Sequence, residues 1–125
     1  MDATIREALR TDRTIDITTT GRRSGRPRRI ETWFYRVGGN LYLTGSPGRR
    51  DWYANVVANP AFVFHLKESV VADLPAIATP ITDDAERRRI FTEIMADLNQ
   101  PEHLDAWIAG SPLAEMHLGE PAAGR

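Results

Sequence analysis

Five arginines crowd into eight residues, Arg22, Arg23, Arg26, Arg28 and Arg29, on a turn that Gly21 and Gly25 bracket. Guanidinium groups this close repel one another unless an anion neutralises them or water screens them. Arg22, Arg23 and Arg28, with the hydroxyl of Ser24, can present forked donors to a phosphate or carboxylate. Gly21 and Gly25 can let backbone N–H groups approach the same anion. The chain as a whole carries formal net charge −1. A cationic loop on a balanced protein suggests one local anionic ligand rather than a long polyanion. A solvated basic turn and a nucleic-acid patch are the competing readings. No Gly-Lys-Ser/Thr and no Gly-x-Gly-x-x-Gly is present, which argues against a P-loop and a dinucleotide fold.

A second constellation is Thr44-Gly45-Ser46-Pro47-Gly48-Arg49-Arg50-Asp51-Trp52-Tyr53-Ala54-Asn55. A strand ends there and a helix begins, so exposed N–H groups favour an electron-rich ligand edge. Trp52 can lie against a flat ring or fill the core. Glu31 reads as a pocket acid, an exposed strand residue or the partner of a nearby Arg, on the strand face it shares with Trp33 and Tyr35. His65, His103 and His117 lie far apart and show no ligand spacing, so no metal site is expected and no catalytic residue is assigned. Arg87-Arg88-Arg89 reads as the solvated face of its helix.

The elements that must position these residues follow from periodicity. Asp2 with Ile5, Ala8 and Leu9 predicts a helix over about residues 3–11. Ile15, Ile17 and Thr19 alternate as a strand. Residues 30–37 and 41–45 read as two strands joined at Gly38-Gly39-Asn40, a sequence that supplies the positive φ of a tight hairpin. Ser46-Pro47 is expected to open a helix that Asn59-Pro60 ends. Phe62, Phe64 and Leu66 alternate, with residues 70–79 as partner strand. Asp83 and Glu86 have capping-box spacing before an apolar stripe through residue 98. Pro101 restarts a shorter helix, residues 112–118 are strand-like, and residues 119–125 read as a loose tail of a single domain, 1–125.

Six short strands with two or three helices predict an α+β fold, a small antiparallel barrel with flanking helices. The absence of cysteine excludes disulfides, thiolate nucleophiles and Cys-ligated zinc. The N-terminus lacks the apolar run of a signal peptide and no stretch suits a membrane span, which makes a cytoplasmic location the default expectation. Edge strands of an open barrel pair or are covered, so a homodimer is a natural state. No nucleic acid is expected, because the aromatics are not interleaved with the Arg run.

Thr18 to Arg28, reading TTTGRRSGRPR, resembles the signature of the deazaflavin (coenzyme F420)-dependent nitroreductase/oxidoreductase family. Gly45-Ser46-Pro47-Gly48, Asp51-Trp52-Tyr53-Ala54-Asn55 and Ala58-Asn59-Pro60 are similar to its second signature. The resemblance covers about residues 15–67. It implies a split β-barrel of the FMN-binding split-barrel type and a hydride-transferring enzyme. Reduced coenzyme F420 would reduce a small electrophile such as a nitroaromatic, a quinone or an activated C=C compound. Carried over by motif, Arg22, Arg23, Ser24 and Arg28 would hold the phosphate and acidic tail. Thr44 and Ser46 would meet the ring with Trp52 and Asn55 beside it, and Trp33 would line the pocket near the ring. Glu31, where nitro-drug-activating relatives carry an apolar residue or Pro, and Tyr35 join the substrate pocket only by sharing the strand face of Trp33. The chain departs from nitro-drug-activating relatives at Pro47, where they carry Lys, and has no Tyr after Tyr53. FMN is the alternative cofactor. An FMN-, haem- or tetrapyrrole-binding split barrel without turnover is the alternative function.

Overall fold

A chain of alternating apolar residues with tight turns makes strands, and a computed structural model, describing residues 1–121, arranges seven of them in one sheet ordered β2-β1-β5-β6-β7-β4-β3, every pair antiparallel. These are β1 (Thr14–Thr20), β2 (Pro27–Trp33), β3 (Tyr35–Val37), β4 (Asn40–Thr44), β5 (Ala61–Leu66), β6 (Ala72–Pro80) and β7 (Leu113–Leu118). The expected strand over residues 30–37 starts three residues earlier and breaks at Phe34, whose N–H donates to the Arg13 carbonyl at 3.0 Å. The consequence is topological. β2 pairs with β1 at one edge of the sheet, and β3 pairs with β4 at the other. The bend at Phe34 therefore joins the two edges and curls the sheet towards a barrel. Gly38 and Gly39, at φ 57° and 84°, make the β3–β4 hairpin as their sequence predicts.

Four α-helices flank the sheet among the described residues: α1 (Ala3–Thr11), α2 (Asp51–Ala58), α3 (Asp84–Asp97) and α4 (Leu104–Gly110), the last entered through a 3₁₀ turn at Pro101–His103. Asp2 caps α1 through Thr4 N–H at 2.6 Å, and Asp83 caps α3 through Glu86 N–H at 3.0 Å. The Ser46-Pro47 start expected for α2 is wrong. Helix begins only at Asp51, after Arg50, which gives no side-chain cap. Ser46 to Gly48 form a loop held by Gly48 N–H to Gly110 O at 3.0 Å. Of the tail, Gly119 still donates to Pro75 O at 2.8 Å, and Met1 N pairs with Glu120 at 3.1 Å. Residues 122–125 lie outside the described residues.

The alternation of β-strand side chains divides the interior into two cores. Ile15, Ile17, Phe34, Leu43, Phe64, Leu74 and Met116 fill the concave side, closed by Ile5 and Ala8 of α1 and by Trp52 and Val56 of α2. Phe34 and Phe64 meet edge-to-face at 5.2 Å. Tyr35, Val37, Tyr42 and Leu113 face the other way, under Ile90, Phe91 and Ile94 of α3 and Trp107 of α4. The triplet Arg87-Arg88-Arg89 is not simply a solvated helix face. Arg87 is buried and donates to the carbonyls of Ile81 (2.9 Å), Ile108 (2.9 Å) and Ser111 (2.7 Å).

Candidate functional site

The end of β1, the Arg loop, the start of β2 and the first turns of α2 enclose a cleft of about 440 Å³ lined by Thr19, Gly21, Arg22, Arg23, Ser24, Arg28, Arg29, Ile30, Asp51, Trp52 and Asn55. The loop's shape is set locally. Gly21 N–H donates to Arg26 O at 2.8 Å, Gly25 N–H to Gly21 O at 2.9 Å, and Arg26 N–H to Ser24 Oγ at 3.1 Å. A Cβ on Gly21 would lie 2.6 Å from Ser24 Oγ and displace that hydroxyl, and Gly25, at φ 70°, occupies the left-handed region that favours glycine. These bonds consume the N–H groups of Gly21, Gly25 and Arg26. The side chains of Arg22, Arg23, Ser24 and Arg28 line the cleft beside them.

The loop is pinned to α2 by one buried amide. Asn55 Oδ1 accepts from Arg22 N–H at 3.0 Å and from Arg22 Nη1 at 3.4 Å, while Asn55 Nδ2 donates to Thr19 Oγ1 at 3.1 Å. Both polar atoms of the Asn55 side chain are thus hydrogen-bonded, at 4% exposure. Arg22 Nη1 also lies 3.6 Å from Asp51 Oδ1. Arg23 and Arg28 make no side-chain hydrogen bond or ion pair among the described residues. Ser24 Oγ accepts from Arg26 and keeps its own proton to donate. Trp52, 6% exposed, belongs to the core and to the cleft at once, and Ile30 adds a second apolar surface to the cleft. The arrangement can hold a molecule with an anionic end against the arginines and a flat apolar part against Trp52 and Ile30.

Six of the sequence-derived residues therefore come together: Arg22, Arg23, Ser24, Arg28, Trp52 and Asn55. Five do not line this cleft. Thr44 follows Leu43 in β4 and so points to the α3 side of the sheet, where its hydroxyl donates to Pro112 O. Ser46 stands exposed in its loop, its carbonyl accepting from Arg50 at 2.8 Å. Glu31 lies opposite Asp16 on the convex side of the sheet and pairs with Lys67. Trp33 is 48% exposed with the Arg13 guanidinium 5.2 Å from its ring. Tyr35 is buried beneath α3, and burial pushes its phenol above the usual value. Thr19, Arg29, Ile30 and Asp51 were missed. Alternation was the available signal for two of them: Thr19 shares the inward phase of Ile15 and Ile17, and Ile30 that of Arg28.

A curled antiparallel sheet with flanking helices and a basic cleft at one rim is a split-barrel fold. Solved structures share it at identities that speak to fold alone. The conserved hypothetical protein Rv2991 from Mycobacterium tuberculosis superposes with TM-score 0.73 and 14% identity, covering 96% of this chain and 81% of that one. The F420-H2 dependent reductase FDR-A gives TM-score 0.61 and 22% identity over 85% of this chain and 95% of that one. The heme storage protein HutZ from Vibrio cholerae gives 0.66 and 17% over 93% and 88%. At the level of sequence, the F420H(2)-dependent quinone reductase family model matches residues 1–106. The chain belongs to that family and is an F420-dependent oxidoreductase.

Proposed function

We propose that the protein passes hydride from reduced coenzyme F420 to a small electrophile, with quinones first and nitroaromatics and activated C=C compounds as further acceptors. The observation that carries this reading is the coexistence, in one cleft, of uncommitted guanidinium donors on Arg23 and Arg28 with the apolar surfaces of Trp52 and Ile30. That donor set fits a coenzyme with an acidic tail and a flat ring. Arg22, Arg23, Arg28 and the Ser24 hydroxyl hold the tail by charge-assisted hydrogen bonds. Trp52 and Ile30 exclude water from one side of the ring, and Asn55 positions Arg22 rather than touching the coenzyme. When bound, the reduced deazaflavin supplies a hydride; a proton must follow to complete reduction of the acceptor. Among the described residues no histidine lines the cleft and its one carboxylate, Asp51, is open to water, so solvent is the proposed source of that proton. The exposed strand β2 is the surface on which we propose that a second copy docks.

Titration with F420, FMN and haem tests the cofactor, followed by oxidation of the reduced F420 complex with quinone, nitro and activated-alkene acceptors. Tightest binding of F420 with quinone-dependent oxidation is expected. Equal or stronger retention of FMN or haem, or bound reduced F420 that no acceptor oxidises, would replace the enzyme reading with a binding one. Light scattering reads the dimer, and a monomeric mass removes it.

A further inference from the structure

We propose that Asp51 is a built-in competitor for the anion, occupying Arg22 in the free protein and leaving when an anionic ligand arrives, so that it sets how tightly the cleft holds that ligand. The proposal rests on the reading of the cleft as an anion site. Asp51 is the only carboxylate lining the cleft among the described residues, against Arg22, Arg23, Arg28 and Arg29. Its Oδ1 lies 3.6 Å from Arg22 Nη1. The two ends of that pair are unequal. The Arg22 side chain is 34% exposed and anchored at Asn55, whereas the Asp51 side chain is 94% exposed and has no other side-chain partner among the described residues. Arg22 is therefore the fixed member and Asp51 the one that can swing away. An arriving phosphate or carboxylate must take Arg22 from Asp51 and then tolerate a second negative charge at the cleft's rim. Both effects weaken binding, and the second persists for as long as the ligand stays. A hydride-carrying coenzyme that must leave for re-reduction gains from such a site, because dissociation is quickened without loss of the arginines that select the anion.

The effect of an exposed pair plus one near like charge is small, on the order of a three- to tenfold change in affinity. The test is calorimetric titration of the full chain with inorganic pyrophosphate and, separately, coenzyme F420, using the wild type, Asp51→Asn, Asp51→Ala, Arg22→Ala and the Arg22→Ala/Asp51→Asn double variant. Asp51→Asn and Asp51→Ala are expected to bind both ligands about three- to tenfold tighter, with slower release of F420 in stopped flow. The gain is expected to shrink in the Arg22→Ala background and at raised salt. Unchanged or weaker binding in Asp51→Asn, with the wild type still binding, overturns the competitor role alone and makes Asp51 a positioning residue for Arg22. An undiminished gain in the double variant removes the displacement step. Failure of the wild type and of Asp51→Asn to bind either ligand overturns the anion reading and this inference together.

Discussion

Two arginine clusters of the same chain use the same side chain in opposite ways. In the Arg loop, Arg23 and Arg28 face an open cleft with their side-chain donors uncommitted among the described residues, and Arg22 is only partly engaged, by Asn55 and Asp51. In α3, Arg87 is buried, and its guanidinium reaches the carbonyls of Ile81, Ile108 and Ser111 while lying 5.2 Å from the Phe91 ring. The Ile108 carbonyl belongs to the last turn of α4, a group that the helix itself cannot satisfy and whose partial charge is negative. Arg87 thus closes a helix end and ties α3, α4 and the entry to β7 together. The difference teaches that an arginine's role follows from how many of its donors the fold has already used. Spent donors make structure, and spare donors make a binding site.

The comparison breaks most sharply at Arg87. Arg87→Ala strands several buried carbonyls and is expected to cost about 3 kcal/mol, a fall of roughly 10 °C in melting temperature, with coenzyme affinity of the folded fraction unchanged. A shift below about 1 kcal/mol in denaturant titration would return Arg87 to the class of solvated arginines. Arg22→Ala or Arg28→Ala should do the reverse. Each removes a charge-assisted hydrogen bond of roughly 1.5–3 kcal/mol to the coenzyme, lowering affinity about ten- to a hundredfold while the melting temperature barely moves. Unchanged affinity in both would make the loop a solvated turn.

Asn55→Ala lies between the two extremes, because its amide is buried yet serves the cleft. It is expected to cost about 1–2 kcal/mol of stability and to loosen coenzyme binding severalfold by unpinning Arg22. Loss of stability with normal coenzyme affinity would detach the pin from the site. The smallest effect belongs to a third charge cluster, on the convex side, where Asp16 binds Lys67 at 2.7 Å and Arg29 at 3.0 Å. The Lys67 hydrogen bond, then that of Arg29, holds the Asp16 carboxyl below its ordinary 3.8 against the opposing push of burial. A lowered folded value makes this contribution complete above about 3.8, the unfolded value, and lost as pH falls through the lower folded value. Asp16→Asn should flatten the acid limb of stability against pH there. An unaltered acid limb would show that the cluster is too solvated to matter.

Much of the fold was legible because it is written in short-range pattern. The helix over residues 3–11, the Gly38-Gly39 hairpin and the Asp83 cap of α3 depend on residues within one turn of each other. The start of α2 was misread for a related reason: Ser46-Pro47 carries good local helix-start chemistry, yet Gly48 is drawn to Gly110, sixty-two positions away, and the loop stays open. Of the site, the Arg loop and the Trp52–Asn55 face were visible from charge and helical spacing. The assignment of Glu31, Trp33 and Tyr35 to the same pocket assumed that one strand face meets one environment. The chain instead bends at Phe34, and that face passes from solvent at Trp33 to a helix-covered core at Tyr35.

By itself the sequence determined the periods, the turns and the presence of a dense cationic loop on a neutral protein, because these follow from steric and hydrophobic preferences of neighbouring residues. Only the tertiary structure decided which charges meet. That Arg22 faces Asp51 and Asn55, that Lys67 takes Asp16 and Glu31, and that Arg87 disappears into the ends of other elements depend on strand register and on the bend that joins the sheet's two edges. Coulombic and hydrogen-bonding partners are chosen by distance in space, and across more than twenty residues that distance is set by the path of the whole chain rather than by any local pattern.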